Sequence, residues 1–301
     1  MMSLPKPKKV MVTGSGGFIG SAVVKKFKTS GVEVVEFNIP DHDVQDAEDV
    51  AAALEGCDGV VHLAGVLGTH ELFDTPRLAV DVNIHGSLNV LEACRKHGAA
   101  YIGITMPQVF PSIYTSTKVA TTKLASAYAH THGLRVAHVR AFNAFGPGQA
   151  HGPGHPQKII PTFAYNATHD LPLPIWGDGT QGVDLIHTRD LARILFDATC
   201  HATSINQYSR LNDLTFDGGT AKMFTVNEVA RMVNEAANGR EAPLNVTYLP
   251  MRRGEVPTNI VATGENWDVL NYSNKWGEYR PKFDSFDLRD TVKFYRDYVI
   301  H

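Results

Sequence analysis

The stretch VTGSGGFIGSAVVKKF (12–27) constrains the fold more than any other part of the chain. It follows the apolar run KKVMVT (8–13), which reads as a buried strand, and leads into a helical pattern over about 17–30. Gly14, Gly17 and Gly20 punctuate the junction. Between a strand and a helix, the first glycine permits the tight turn and the second lets backbone approach a pyrophosphate. The third lets the helix pack closely on the strand. Phosphates then meet a helix N-terminus, where free N–H groups and the helix dipole favour anions. The stretch therefore points to a bound dinucleotide rather than to a purely structural turn.

The rest of the first half repeats the same alternation. VEVVEF (32–37), GVVHLAG (59–65), AAYIGIT (99–105) and LRVAHVR (134–140) read as strands. Helical patterns fall between them at about 46–55, from Pro76 to Lys96 with Gly98 just beyond, and at about 112–132 before Gly133. Such alternation predicts an α/β fold, a doubly wound parallel sheet of the Rossmann type. The second half is less regular. AFGPGQAHGPGHP (144–156) reads as a long loop, VDLIHTRDLARILFDA (183–198) as a strand entering a helix, and LTFDGG (214–219) as a late strand. TVNEVARMVNEAA (225–237) opens with Thr225 and Glu228 in capping-box spacing. The expected organisation is a dinucleotide-binding unit over 1–150, to which 183–219 returns, interleaved with a smaller substrate lobe from 151–182 and 220–301.

At the end of the second strand the acidic residue that usually grips the adenosine ribose is replaced by Asn38, which can still hydrogen-bond a hydroxyl. Lysine and arginine are absent from 29–50, so a 2′-phosphate has no local partner and NAD is favoured over NADP. A formal net charge of −3 gives no reason to expect nucleic acid or a membrane as partner. Cys57, Cys94 and Cys200 are widely spaced and odd in number, which suggests neither a disulfide framework nor a zinc site. His151 and His155 in HGPGH supply too few convergent ligands for a metal. MMSLPKPKK does not read as a signal peptide, and a cytoplasmic location is expected.

Tyr114 and Lys118 stand at i and i+4, on one face of the predicted helix. A nearby lysine favours the phenolate, so the phenol's pKa is expected to fall from about 10 toward the working range. Such a tyrosine can take a proton from a hydroxyl as hydride leaves the same carbon.

Together with TGxxGFIG (13–20) and this YxxxK, the segments VVHLAG (60–65), NIHGSLNVLEAC (83–94), RAFNAFGPGQ (140–149), IWGDGTQ (175–181) and RRGE (252–255) resemble the extended short-chain dehydrogenase/reductase family, in its nucleotide-sugar epimerase and dehydratase branch. The resemblance runs in order over nearly the whole chain. It implies a bound nicotinamide cofactor along Phe18, Ile19, Leu63, Ala64 and Gly65, with Asp43 and Val44 near the adenine. It also implies Tyr114 as acid/base, Lys118 on the cofactor ribose, and a nucleoside-diphosphate sugar bound in part by Asn143 and Arg252. A homodimer through the helices at about 76–97 and 112–132 is a further expectation from it.

Three departures from the family pattern bear on function. The hydroxyl residue that usually follows the fourth strand falls on Met106, and Thr105 stands in for it if the register bends at Pro107. Pro107 and Gln108 take the places of the acid and base of the dehydratases, which demotes water elimination. Only Pro111, Ser112 and Ile113 separate Phe110 from Tyr114, where the family has a substantial loop, so the site is expected to be wider or open to a larger substrate. Val183 replaces an arginine that binds the diphosphate. Trp176 is expected to pack the lobe, and His62 and His187 to be satisfied core or cofactor-edge groups rather than ligands. The favoured reading is an NAD-dependent epimerase of nucleoside-diphosphate sugars. The alternatives are an NAD(P)-dependent dehydrogenase or reductase of a substrate without a nucleotide, and a nucleotide-binding protein without turnover.

Overall fold

Period-two alternation along the first strands decides the layering. Val10 and Val12 enter one buried cluster with Val23, Phe27, Leu191 and Leu195, while Met11 between them enters another with Val90, Leu91, Ala125 and Leu134. A strand buried on both faces needs helices on both sides. The computed structural model, which describes residues 4–107, 109–270 and 280–300, has that form.

The first half contains β1 (Lys9–Thr13), α1 (Phe18–Thr29), β2 (Glu33–Phe37), α2 (Ala47–Leu54), β3 (Gly59–His62), α3 (Pro76–Ala79), α4 (Gly86–His97), β4 (Ala100–Thr105), α5 (Ile113–His132) and β5 (Val136–Ala141). It is followed by β6 (Asn143–Phe145), α6 (Ile159–Thr168), β7 (Leu173–Trp176), β8 (Gly182–His187), α7 (Thr188–Ser204) and β9 (Leu214–Gly218). The last elements are β10 (Met223–Thr225), α8 (Val226–Asn238), β11 (Val246–Leu249) and α9 (Ser285–Arg296). Six strands form a parallel sheet in the order β2-β1-β3-β4-β5-β9. Thr13 is in register with both Phe37 and His62, so β1, β2 and β3 end at one level. The strand order reverses between β1 and β3, the place where open α/β sheets present a ligand crevice.

Two smaller sheets, β10-β8-β6 and β11-β7, pack with α6, α8 and α9 around Phe145, Ile160, Phe163, Leu185 and Val229. The Thr225–Glu228 capping box is formed in full. Two readings of the sequence need correction. The stretch expected to be one helix from Pro76 to Lys96 is interrupted by a wide π turn at Val80–His85. The segment read as loop from 144 begins inside the short strand β6, whose three residues are too few to show a period. No helix among the described residues is long and apolar enough to cross a membrane.

The turn after β1 is the tightest packing in the sheet region. Gly14 has φ of +66°, and a Cβ at Gly20 would lie 2.0 Å from the Gly14 carbonyl oxygen. Backbone cannot yield as a side chain does. Gly20→Ala is therefore expected to cost about 3 kcal/mol of stability, as overpacking does. Urea unfolding checks this, and an unchanged midpoint would show that α1 does not rest on the turn as described.

Candidate active site

Residues following β1, β2, β3, β4 and β5 line one side of a cavity of about 770 Å³, and α6, β7, β8 and the 251–260 segment line the other. That volume suits a ligand of cofactor size or larger. On the sheet side, Gly14 donates its N–H to the Phe37 carbonyl (2.8 Å), and Gly17 donates to Gly14 (3.0 Å). Gly17 is the N-cap of α1, with no side-chain cap and no acidic residue in the first turn. Gly14, Gly17, Phe18, Ile19 and Gly20 all line the cavity. An uncapped helix N-terminus on a glycine turn fits a diphosphate.

Beside it, the Asn38 amide nitrogen donates to the Ile39 carbonyl (2.7 Å), and Asn38 packs against Gly16. Asp43 accepts from the Gln45 N–H (3.0 Å), and Val44 is buried. Asn89 holds this loop by donating to the carbonyls of Val44 (3.0 Å) and Gln45 (3.1 Å). Asn38, Asp43 and Val44 lie on the same stretch of cavity wall.

Leu63, Ala64 and Gly65 form the next part of the wall. Leu63 and Ala64 both donate N–H groups to the Thr13 hydroxyl at 3.1 Å. Thr13 pairs with His62 (2.8 Å) and His62 with Ser87 (2.9 Å), and Ser87 donates to the Asn83 carbonyl (2.5 Å). His62 is thus a satisfied core group; burial first, then Lys118, pushes its pKa down to about 3, so it is neutral. Asn83, wholly buried in the π turn, accepts from the Val66 N–H (2.9 Å) and donates to Val66 and to Thr117 on α5. It ties the cofactor-side loop to the tyrosine helix. Within NIHGSLNVLEAC no local pattern signals that role.

Tyr114 and Lys118 sit one turn apart on α5, and both line the cavity. The expected lowering of the phenol is not found: burial pushes Tyr114 up to about 12, and no opposing charge offsets it. Burial pushes Lys118 down to about 8. Lys118 is 5% exposed and its ammonium makes no hydrogen bond to a described residue. It lies so near Gly65 that a Cβ there would be 3.0 Å from Nζ. A buried, unpaired cation facing the cavity fits a ligand with acceptor oxygens at that point.

Thr105 also lines the cavity, but its hydroxyl is paired with that of Thr122 (2.9 Å). Thr122 is eight residues beyond Tyr114, roughly 12 Å along the helix axis. The pair ties the end of β4 to α5, with Thr105 as the acceptor. Met106 and Pro107 line the cavity; Gln108 lies outside the described residues.

On the opposite wall, Arg252 makes a two-pronged pair with Glu255 (3.0 and 2.5 Å) and stacks on Trp176 at 4.5 Å. Trp176 is thus part of the site, where sequence reading gave it only a packing role. Asn143 and Val183 line this end, together with Lys158 and Glu71, two charged residues whose sequence context gave no signal. The widening expected from the short Phe110–Tyr114 connection is not seen at Ser112. There Gly254 and Phe73 fill the space, a Cβ at Gly254 lying 2.7 Å from Phe73 and 3.3 Å from Ser112. His151 is turned toward Tyr165 (5.0 Å between ring centroids) and its N–H donates to the Tyr298 hydroxyl (3.0 Å).

The sequence model of the NAD dependent epimerase/dehydratase family matches residues 10–111 and 105–212. A UDP-glucuronate 4-epimerase from Thermodesulfobacterium geofontis is 32% identical over 230 residues, covering 71% of this chain and 66% of its own. A dTDP-glucose 4,6-dehydratase from Streptomyces antibioticus is 28% identical over 226 residues, 60% of this chain and 65% of its own. The matches thus span just under two thirds of those curated relatives. The crystal structure of the Thermus thermophilus UDP-glucose 4-epimerase, a complex with NAD, superposes with a TM-score of 0.78 at 24% identity, covering 97% of this chain and all of that one. At that identity the likeness shows the fold.

Proposed function

The chain belongs to the NAD dependent epimerase/dehydratase family, and from that premise we propose that it is an NAD-dependent epimerase of nucleoside-diphosphate sugars. The observation that carries the reading is the opening of Tyr114 and Lys118, one turn apart on α5, into the same cavity as the glycine turn and Arg252. The α1 N-terminus would hold the cofactor's diphosphate, Asn38 and Lys118 its riboses, and Asp43 and Val44 the adenine edge. When bound, the cofactor supplies reversible hydride acceptance. Tyr114 Oη takes the proton of the sugar hydroxyl and returns one to the carbonyl oxygen after the sugar has turned over. Asn83 holds α5 and the 63–66 loop in register during that cycle. Pro107 offers no acid or base at the place of a dehydratase acid, which supports epimerisation over elimination.

A net dehydrogenase or reductase of a substrate without a nucleotide is the second reading. It is favoured by the apolar Val183 and by the neutralisation of Arg252 by Glu255. Incubating the purified protein with UDP- and dTDP-sugars and following products by NMR separates the two. An epimer with no build-up of reduced cofactor at 340 nm is expected. Stoichiometric reduced cofactor, or no product from any sugar nucleotide, would overturn the epimerase reading.

A further inference from the structure

The loop between β6 and α6 carries part of the cavity wall, yet its composition gives it little means of holding one shape. GPGQAHGPGHP (146–156) has four glycines and three prolines, so its unfolded freedom is large and few N–H groups are available to tie it. Its main chain bonds to itself at His155, whose N–H donates to the Gly152 carbonyl (3.2 Å). Gln149, Pro156 and the following Gln157 nonetheless line the cavity. The remaining anchors come from distant parts of the chain. Tyr295, wholly buried on α9, donates its hydroxyl to the Gln149 carbonyl (2.5 Å). Tyr298, just beyond α9, accepts from the His151 N–H (3.0 Å) and donates to the His151 carbonyl (3.2 Å) with the same hydroxyl. Ile300 lies against Gly152, where a Cβ would come within 2.7 Å of it. Beyond the loop, Glu71 accepts from the Gln157 N–H (3.2 Å). α9 is itself well fixed. Leu288, Val292 and Tyr295 are buried in one cluster with Phe163 and Val229, and Arg296 donates to the Ala237 carbonyl near the end of α8 (2.7 Å). The Tyr298 ring meets Tyr165 of α6 edge-on, at 6.4 Å between centroids.

We propose that Tyr295 and Tyr298 are positioning residues for the ligand of this cavity: through the main chain of Gln149 and His151 they hold the wall formed by Gln149, Pro156 and Gln157. Their hydroxyl contacts are all to main chain, so they fix the path of the loop whatever side chains it carries. HGPGH thus contributes its backbone. A glycine-rich wall left free would have to order when the ligand arrives, and that cost is subtracted from affinity. With the tyrosines in place, the ordering occurs during folding instead. Burial, and then Tyr298, push the Tyr295 phenol above its ordinary range, so it stays a hydrogen-bond donor at working pH.

The test compares the full chain, saturated with NAD, with its Tyr298→Phe, Tyr295→Phe and Arg296→Met variants. Phenylalanine keeps each ring and removes one oxygen, whereas Arg296→Met loosens α9 from α8 without touching the loop. Hydrogen–deuterium exchange reads the loop with no substrate present. Calorimetric titration with UDP and dTDP reads the wall, and that half rests on the nucleoside-diphosphate reading above. In Tyr298→Phe, exchange at 149–152 is expected to rise by about 10-fold or more through loss of two hydrogen bonds, and UDP and dTDP affinity to fall by about 3–10-fold. Tyr295→Phe is expected to act in the same direction. In both, NAD affinity and exchange in the six-stranded sheet should stay within about twofold, and Arg296→Met should leave UDP affinity within about twofold. Faster loop exchange without weaker UDP and dTDP binding, or weaker binding without faster exchange, overturns the proposal. So does an equal loss of affinity in Arg296→Met, which would make the role merely structural. Should UDP and dTDP not bind the unaltered chain, the nucleotide reading falls and exchange alone decides. A rise that reaches Gln157 then upholds the proposal, and a rise confined to 149–152, or none, overturns it. If Tyr295→Phe does not fold, Tyr298→Phe decides.

Discussion

Replacing Tyr114 by phenylalanine is expected to lower kcat by about 10³-fold or more while NAD affinity stays within about twofold. The ring is retained, so the packing of α5 against the cavity is unchanged and only the phenolic oxygen is removed. Two features make the loss heavy. Met106 stands where a hydroxyl could share the proton, and Thr105 is paired with Thr122 roughly two turns along α5 from Tyr114. Among the described residues that follow β4, Met106 thus brings no hydroxyl and Thr105 is already paired. Burial also pushes the phenol up to about 12, so within the protein alone it is a proton donor at neutral pH. Its use as a base depends on positive charge brought close in the loaded site, and Lys118, one turn away, is the chain's own source of it. Single-turnover kinetics with the NAD-loaded variant read the chemical step directly. A fall of less than about tenfold would place the acid/base elsewhere in the cavity.

The parts of this site legible in the sequence are those whose physics is local. Gly14, Gly17 and Gly20 are required by a turn that no Cβ would permit, and Thr225 and Glu228 cap a helix from four residues' worth of information. Tyr114 and Lys118 share a face because four residues make about one helical turn. The residues that escaped sequence reading act across long separations. Asn83 bonds to Val66 and Thr117, 17 and 34 residues away, from a π turn that no periodicity announces. Lys158 and Glu71 become parts of one cavity only when α6 closes over the loop after β3. The short Phe110–Tyr114 connection suggested empty space, and Phe73 and Gly254 fill it from elements with no sequence link to that gap. The phenol's pKa departs from the sequence expectation for a related reason. Spacing reveals which charge is near, whereas burial depends on the whole fold, and here burial is what moves both partners.

Lys118→Met is expected to raise the stability of the protein without ligand while nearly abolishing turnover. Lys118 is buried, its ammonium has no hydrogen-bond partner among the described residues, and burial lowers its pKa from 10.5 to about 8, so folding carries a penalty on the order of 3 kcal/mol at neutral pH. Methionine keeps much of the chain's length and apolar stem and removes the charge. The pH dependence gives the sign. Below pH 8 folded and unfolded chains both hold the proton, and the penalty is present in full. Between about 8 and 10.5 only the unfolded chain binds it, so the native protein gains stability as pH rises. Above that range the penalty is gone. Urea unfolding of the two proteins without ligand should therefore show the variant ahead by a constant margin at pH 6–8, closing to nothing by about pH 10.5. Subtracting the two curves removes the contributions of Tyr114 and the buried cysteines, which are common to both. On the proposed reading, in which Lys118 binds the cofactor ribose, NAD affinity should drop by about tenfold or more through loss of a charged hydrogen bond. A variant less stable than the parent at pH 7 would mean that Lys118 is held by the protein itself. The cavity would then lack the unsatisfied cation that supports cofactor binding at this point of the wall, and the trade of stability for function assigned to Lys118 would have to be sought elsewhere on α5.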